Sequence, residues 1–310
     1  MAKLTNAKAT YETNGKFVEF DDNIYNVDPT ETPVLAAIDE ISVETTTYHW
    51  QTDTLQAPST TAALEGDTFT PQVLSATTEV SNVCQITRRD FTITGTNEAV
   101  RKYGRDSEIT YQTMKKNSEI RTSQELIMFA NQGLVTGGTA VARQLRALPS
   151  WISTNVSLGV GGENAVTTSA RVDGSARAYT EGLLLSVHEL AWNAGAKPTL
   201  HVSNSKQKRA LSTFDGSGQT RFDKSEDKKI FNTIEIYESD FGVLNAVMSR
   251  HVRASDVFLI DPDMVATGYL RPMQTEQIGK QGDGESFMVL CEWTLKVSNE
   301  KGLGAIFDLV

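Results

Sequence analysis

The chain has 310 residues, is 39% hydrophobic, and carries a formal net charge of -10 with a pI near 5.0. A chain of this length corresponds to about two domains, or one domain with extensions, and it buries enough surface to fold without a disulfide or metal. The acidic balance excludes a protein that holds nucleic acid by a basic surface; beside DNA such a chain is repelled, which suits a container better than a binder.

Residues 1–28 are polar, with isolated aromatics at Tyr11, Phe17, Phe20 and Tyr25, and read as an arm ordered only when something receives it. The opening MAKLTNAKATYETNGK lacks the apolar core of a signal peptide, and no run approaches the ~20 apolar residues of a membrane span. The expectation is a soluble chain made in a cytoplasm. DPTETPVLAAIDEI (28–41) predicts a helix start, with Asp28 or Thr30 as cap. TTTYHWQTDTL (45–55) and EVSNVCQITRRDFTITGT (79–96) read as extended runs. Between them QTDTLQAPSTTAALEGDTFTPQ (51–72) has three helix breakers, Pro58, Gly66 and Pro71, and few apolar residues. A compact domain rarely carries so long a connection without a purpose, so the segment reads as a two-stranded excursion laid on another surface. Its apolar anchors are Leu55, Leu64 and Phe69, and its charges at the tip are Glu65 and Asp67.

From Tyr103 to Gln132 there is no proline and little glycine, which predicts a helix about 45 Å long. Ile109, Ile120 and Ile127 fall on one side, and Tyr111, Leu126 and Phe129 on another. Such a helix touches its own body on one side and a second surface elsewhere. Residues 136–174 are Gly/Ser/Thr-rich loops around a short strand, SWISTNV (150–156). Residues 180–214 read as helix, strand, helix, with Gly195 and Pro198 stopping the first helix and Ser203 or Asn204 capping the second. A polar loop follows (214–229). Strands are expected at 230–239, 242–250 and 256–263, with two more in the stretch from Glu285 to Val310. The class is α+β with long excursions.

No chemical constellation emerges. His49, His188, His201 and His251 lack ligand spacing. GKQGDG (279–284) lacks the Gly-Lys-Ser/Thr of a phosphate loop and reads as a turn. DPD (261–263) is a turn rather than a calcium loop, and KQKR (206–209) is a solvated basic face. Cys84 and Cys291 lie in apolar runs; buried thiols are the expectation, and a single disulfide is the alternative.

ETPVLAAI (31–38), YHWQTDTL (48–55), LEGD (64–67), NVCQITRRDFTITGTNEAVRKYG (82–104), IEIYESDFGVLNAVMSR (234–250) and the closing GKQGDGESFMVLCEWTLKVSNEKGLGAIFDL resemble, in that order, the major capsid proteins of tailed double-stranded DNA phages. The resemblance implies the Johnson (Hong Kong ninety-seven type) fold. Its parts would be an N-terminal arm (1–48), an extended loop (49–88), a peripheral domain (89–155) with a spine helix (103–132), an axial domain (156–271) and return strands (272–310). It implies no catalytic residue, cofactor or metal. Leu55, Leu64, Glu65, Asp67 and Phe69 would meet a neighbouring subunit, and Ile109, Tyr111, Ile120, Ile127 and Phe129 would serve the spine helix and its interfaces. The implied partners are copies of itself in hexamers and pentamers, packaged double-stranded DNA bound without sequence specificity, and no membrane. A separate scaffolding protein and a portal are further expected partners, and a decoration protein is a candidate one. The implied location is the phage head, after synthesis in the bacterial host cytoplasm. An encapsulin-like shell of the same fold is the alternative. One departure is Ala147-Leu148-Pro149, where the pattern carries a glycine.

Overall fold

The computed structural model describes residues 11, 14, 19, 21–68, 74–166, 168–214, 235–280 and 282–310. An extended segment (21–32) leads to α1 (Pro33–Ala37), β1 (Asp39–Ser42) and the hairpin β2 (Thr47–Thr52) and β3 (Thr78–Val83). Then come β4 (Gln85–Thr94), α2 (Gly95–Ala99), the long α3 (Glu108–Met128), α4 (Leu148–Trp151) and β5 (Val156–Ser157). The second half contains α5 (Glu181–Asn193), β6 (Leu200–Ser203), α6 (Ser205–Leu211), β7 (Ile236–Ser239), β8 (Gly242–Met248) and β9 (Val257–Ile260). It closes with β10 (Val265–Ile278), β11 (Gly284–Val297) and β12 (Gly304–Ile306).

Three sheets result. The first has the order β1-β10-β11-β4, with β1 parallel to β10 and the other pairs antiparallel. The second, mixed sheet runs β5-β12-β9-β6-β8-β7, and the third is the β2-β3 hairpin alone. α3 packs on β4 and β11, where Gln124 Nε2 donates to Cys291 Sγ at 3.1 Å. The strand β9 is buried throughout and shows period-2 alternation at work. Phe258 and Ile260 enter the large core with Phe129, Trp293 and Phe307, while Val257 and Leu259 join a second cluster with Leu184 and Val187 of α5 and Leu211 of α6. Ring contacts Phe129–Phe258 at 5.2 Å and Phe258–Phe307 at 5.7 Å tie the end of α3 to the mixed sheet.

The loops between α4 and α5 are held by a buried ionic knot. The Arg171 guanidinium reaches Asp256 and Asp308, each at 3.1 Å, and lies 3.9 Å from the centre of the Phe307 ring. Asp308 sits at φ 61, and its Oδ2 accepts from Gly159 N at 2.9 Å. A side chain at Gly159 would meet the Ser175 carbonyl at 2.2 Å, so the glycine permits this close approach.

Several expectations are corrected. The long helix is 21 residues, about 31 Å, rather than 103–132. Gly104 at φ 76 breaks the chain, Ser107 caps the helix (Thr110 N donates to its Oγ at 3.2 Å), and Phe129 leaves helical geometry. The expected 79–96 strand is two strands in two sheets, parted at buried Cys84, whose N donates to Thr46 O at 2.8 Å. The strand expected over SWISTNV (150–156) is only the two-residue β5, which starts at Val156. Pro149 starts the one-turn α4, and Trp151 Nε1 donates to Arg146 O at 3.0 Å while the Arg146 guanidinium stacks on its ring at 4.3 Å. The first helix starts at Pro33 after Thr32, not at Asp28 or Thr30, and no side chain of the N-cap bonds it. β10 is a 14-residue strand; none is expected before the return strands at 272, and it runs through the expected boundary at 271. Its second register shift, between Arg271 and Gln274, contains Pro272, which has no N–H to give the ladder. Both cysteines are free and buried, which settles the alternatives in favour of thiols; burial pushes Cys84 up to about 11 and Cys291 up to about 12. The expected strand residues 230–234 lie outside the described residues.

Candidate subunit interface

The root of the excursion is rigid. β2 and β3 pair in register from Thr47↔Val83 to Thr52↔Thr78. Trp50 is buried at the root, with ring contacts to Tyr48 at 5.8 Å and Trp151 at 5.5 Å. Fully buried Asn82 locks the other strand. Its Nδ2 donates to Leu295 O at 2.7 Å and Arg146 O at 3.2 Å, and its Oδ1 accepts from Arg146 N at 2.8 Å. Sequence reasoning passes over Asn82, because a polar residue beside Val83 carries no periodic signal.

Beyond the root, residues 53–68 form neither helix nor strand. Their polar groups bond close by: Thr54 N donates to Asp53 Oδ1 at 2.8 Å, and Asp67 N to Leu64 O at 3.2 Å. Gly66, at φ 81, makes the turn that carries Glu65 and Asp67. Leu55 is 99% exposed and Leu64 80%. Covering either side chain contributes about 1.5–3 kcal/mol. Phe69 lies outside the described residues. The segment 21–32 is likewise extended, with Val27 exposed, while Ile24 and Asp22 lie against Gly104.

The expected interface residues of α3 divide. Ile120 and Phe129 are fully buried in the protein's own core and are not available to a neighbour. Ile127 packs on the same core, Ile109 and Tyr111 are half-buried, and Leu126 is exposed. The reason is that α1 closes over the C-terminal turns of α3. There buried Glu125 accepts from Leu35 N at 3.4 Å and from Ser249 Oγ at 2.5 Å.

Among the described residues no group of three or more His, Cys, Asp or Glu could hold a metal ion, and no helix is long and apolar enough to cross a membrane. His201 is fully buried against Tyr179 OH at 3.0 Å, and burial lowers its pKa to about 3. It is a packed neutral ring.

Comparison with known proteins places this fold in a family. The model of the SU10 major capsid protein family matches residues 3–310. The chain belongs to the SU10 major capsid protein family. That family is one of structural capsid proteins. The chain is 32% identical over 124 residues to the major capsid protein of Escherichia phage Phieco32, a match that covers 40% of this chain and about a third (35%) of that protein. Its fold is similar to that of the capsid of a native GTA particle, with a TM-score of 0.67 at 10% identity over 99% of this chain and 100% of the other. It is also similar to the SrpI encapsulin of Synechococcus elongatus, with a TM-score of 0.55 at 10% identity over 93% and 92%. At these identities the structural likenesses show the shared capsid fold of the SU10 family member, which is the fold expected from the sequence.

Proposed function

We propose that the chain is the repeating subunit of an icosahedral phage head, assembled as hexamers and pentamers around double-stranded DNA that it encloses without reading sequence. One observation carries the reading: the β2-β3 hairpin is locked at its root and leads into a loop whose leucines, Leu55 and Leu64, are exposed among the described residues. A protein that builds such a projection has a second copy to lay it on. The acidic balance supports enclosure of DNA over binding it. In this reading residues 49–88 are the extended loop, α3 is the spine helix of a peripheral domain formed with the first sheet, and the mixed sheet is the axial domain. The family match over residues 3–310 favours a phage head over an encapsulin shell. Sedimentation and negative-stain electron microscopy of the purified full chain test it. Closed shells or capsomers are expected; a monodisperse species of 34.0 kDa at all concentrations would refute it.

A further inference from the structure

α1 has no cap of its own. Thr32 precedes it without a side-chain hydrogen bond, and Pro33 has no N–H, so its first donors are the Val34 and Leu35 amides. Both are met by Glu125 of α3: its Oε2 accepts from Leu35 N at 3.4 Å, and the Val34 N–H also bonds the carboxylate. Its Oε1 accepts from Ser249 Oγ, just past β8. One fully buried carboxyl ties the root of the N-terminal segment to the long helix and to the end of a strand of the mixed sheet. The segment it holds is otherwise lightly anchored. α1 has five residues and β1 four, and β1 is an edge strand paired with β10 alone. Short elements near a chain end are where local opening costs least.

We propose that Glu125 is a proton-operated latch: with its carboxyl protonated α1 stays closed on α3, and with the carboxylate charged α1 and the chain before it open from the body. A carboxylate is far more stable in water than in a core. α1 lies over Glu125, so lifting α1 is the local way to hydrate the charge. Burial raises the pKa of the closed form above the ordinary 4.5, and in the open form the carboxyl returns toward that value. The closed form is therefore favoured below 4.5 and loses ground as pH rises through the raised value. Each unit between the two pKa values is worth about tenfold in the opening equilibrium. The groups around Glu125 are few. α1 itself carries no charge, and Glu31, Asp39 and Glu40, which flank it, are exposed. The connection after β8 brings Ser249 and His251, whose Nε2 is buried without a hydrogen-bond partner. Arg250 between them is exposed, as is Arg121 one turn back on α3. His251 is thus the cation that can stand against the charge inside the core, and the test includes it.

The test is hydrogen exchange, read by mass spectrometry, on unassembled full-length subunits from about pH 5 to about pH 8, each rate divided by its intrinsic rate at that pH. Peptides covering residues 33–42 are expected to lose protection severalfold as pH rises, while those of α5, β6 and α6 keep theirs. Glu125→Gln should hold the same protection across the range, and His251→Gln should retain the loss. Ser249→Ala removes a bond that favours the charged carboxylate, so its loss should extend to higher pH; this variant carries the test should Glu125→Gln fail to fold. Protection of residues 33–42 that ignores pH in the parent overturns the inference. So does a loss that survives in Glu125→Gln, a loss that vanishes in His251→Gln, or a Ser249→Ala curve identical to the parent's. The subunits are measured apart, so none of these outcomes touches the shell reading.

Discussion

Glu125 shows how a single buried residue can be paired without being comfortable. Burial raises its pKa above the ordinary 4.5, outweighing hydrogen bonds from Ser249 and Leu35 and the nearby His251. The folded state then holds this proton more tightly than the unfolded state. The contribution is fully present below 4.5 and is lost as pH rises through the raised folded value. Glu125→Gln keeps an acceptor for Ser249 and removes the charge. At pH 7 it is expected to melt no lower than the parent, and thermal melts from pH 7 to pH 4 should show that it lacks this part of the parent's gain on acidification. Arg171 is the opposite case. Arg171→Met leaves Asp256 and Asp308 buried without their guanidinium, and denaturant unfolding of dissociated subunits is expected to show a loss of about 3–5 kcal/mol.

The elements separate what the sequence displays from what it hides. The two-strand root of the loop, the α5–β6–α6 unit and strands β7 to β9 follow from alternation, caps and breakers. Asn204 caps α6, as its position predicts. The first half of β10 carries no expected strand, and Gly268 and Pro272 are residues that strands disfavour. In the sheet Gly268 admits Val43 and Thr294 at close range, and Pro272 falls at a register shift. The limits of α3 are hidden because a run free of proline does not show that Gly104 takes a positive φ, that Ser107 is the cap, or that Phe129 leaves helical geometry. The Arg171 knot and Asn82 were hidden because their partners lie far off in sequence: Asp308 is 137 residues from Arg171, and Leu295 is 213 residues from Asn82. At this scale the loop carries the sharpest expectation. Leu55→Ser with Leu64→Ser should lower assembly strongly and leave the melting temperature of the free subunit unchanged, because both side chains are already in water. An equal fall in subunit stability would assign them to the subunit's own core.

At the scale of the whole molecule, the placing of lysine bears on how a shell of these subunits is held. A bond between a loop lysine and an asparagine of a neighbour needs a primary amine on the loop, and no lysine occurs between Phe17 and Arg101. The two thiols are buried in the body and do not substitute for it. The shell is therefore expected to be held by many weak contacts that must break together. Boiling assembled particles in denaturing detergent should give one band near 34.0 kDa; a ladder that survives reducing agent would show covalent linkage.

The central claim is that one copy's loop is laid on another copy's body to build a closed head. A cryo-electron microscopy map of assembled particles tests it most directly. The account predicts hexamers and pentamers in which density leaves β2 and β3 of one subunit and crosses an adjacent subunit, with Leu55 and Leu64 covered. A shell in which residues 53–68 fold back on their own subunit, or stay in solvent, would contradict it.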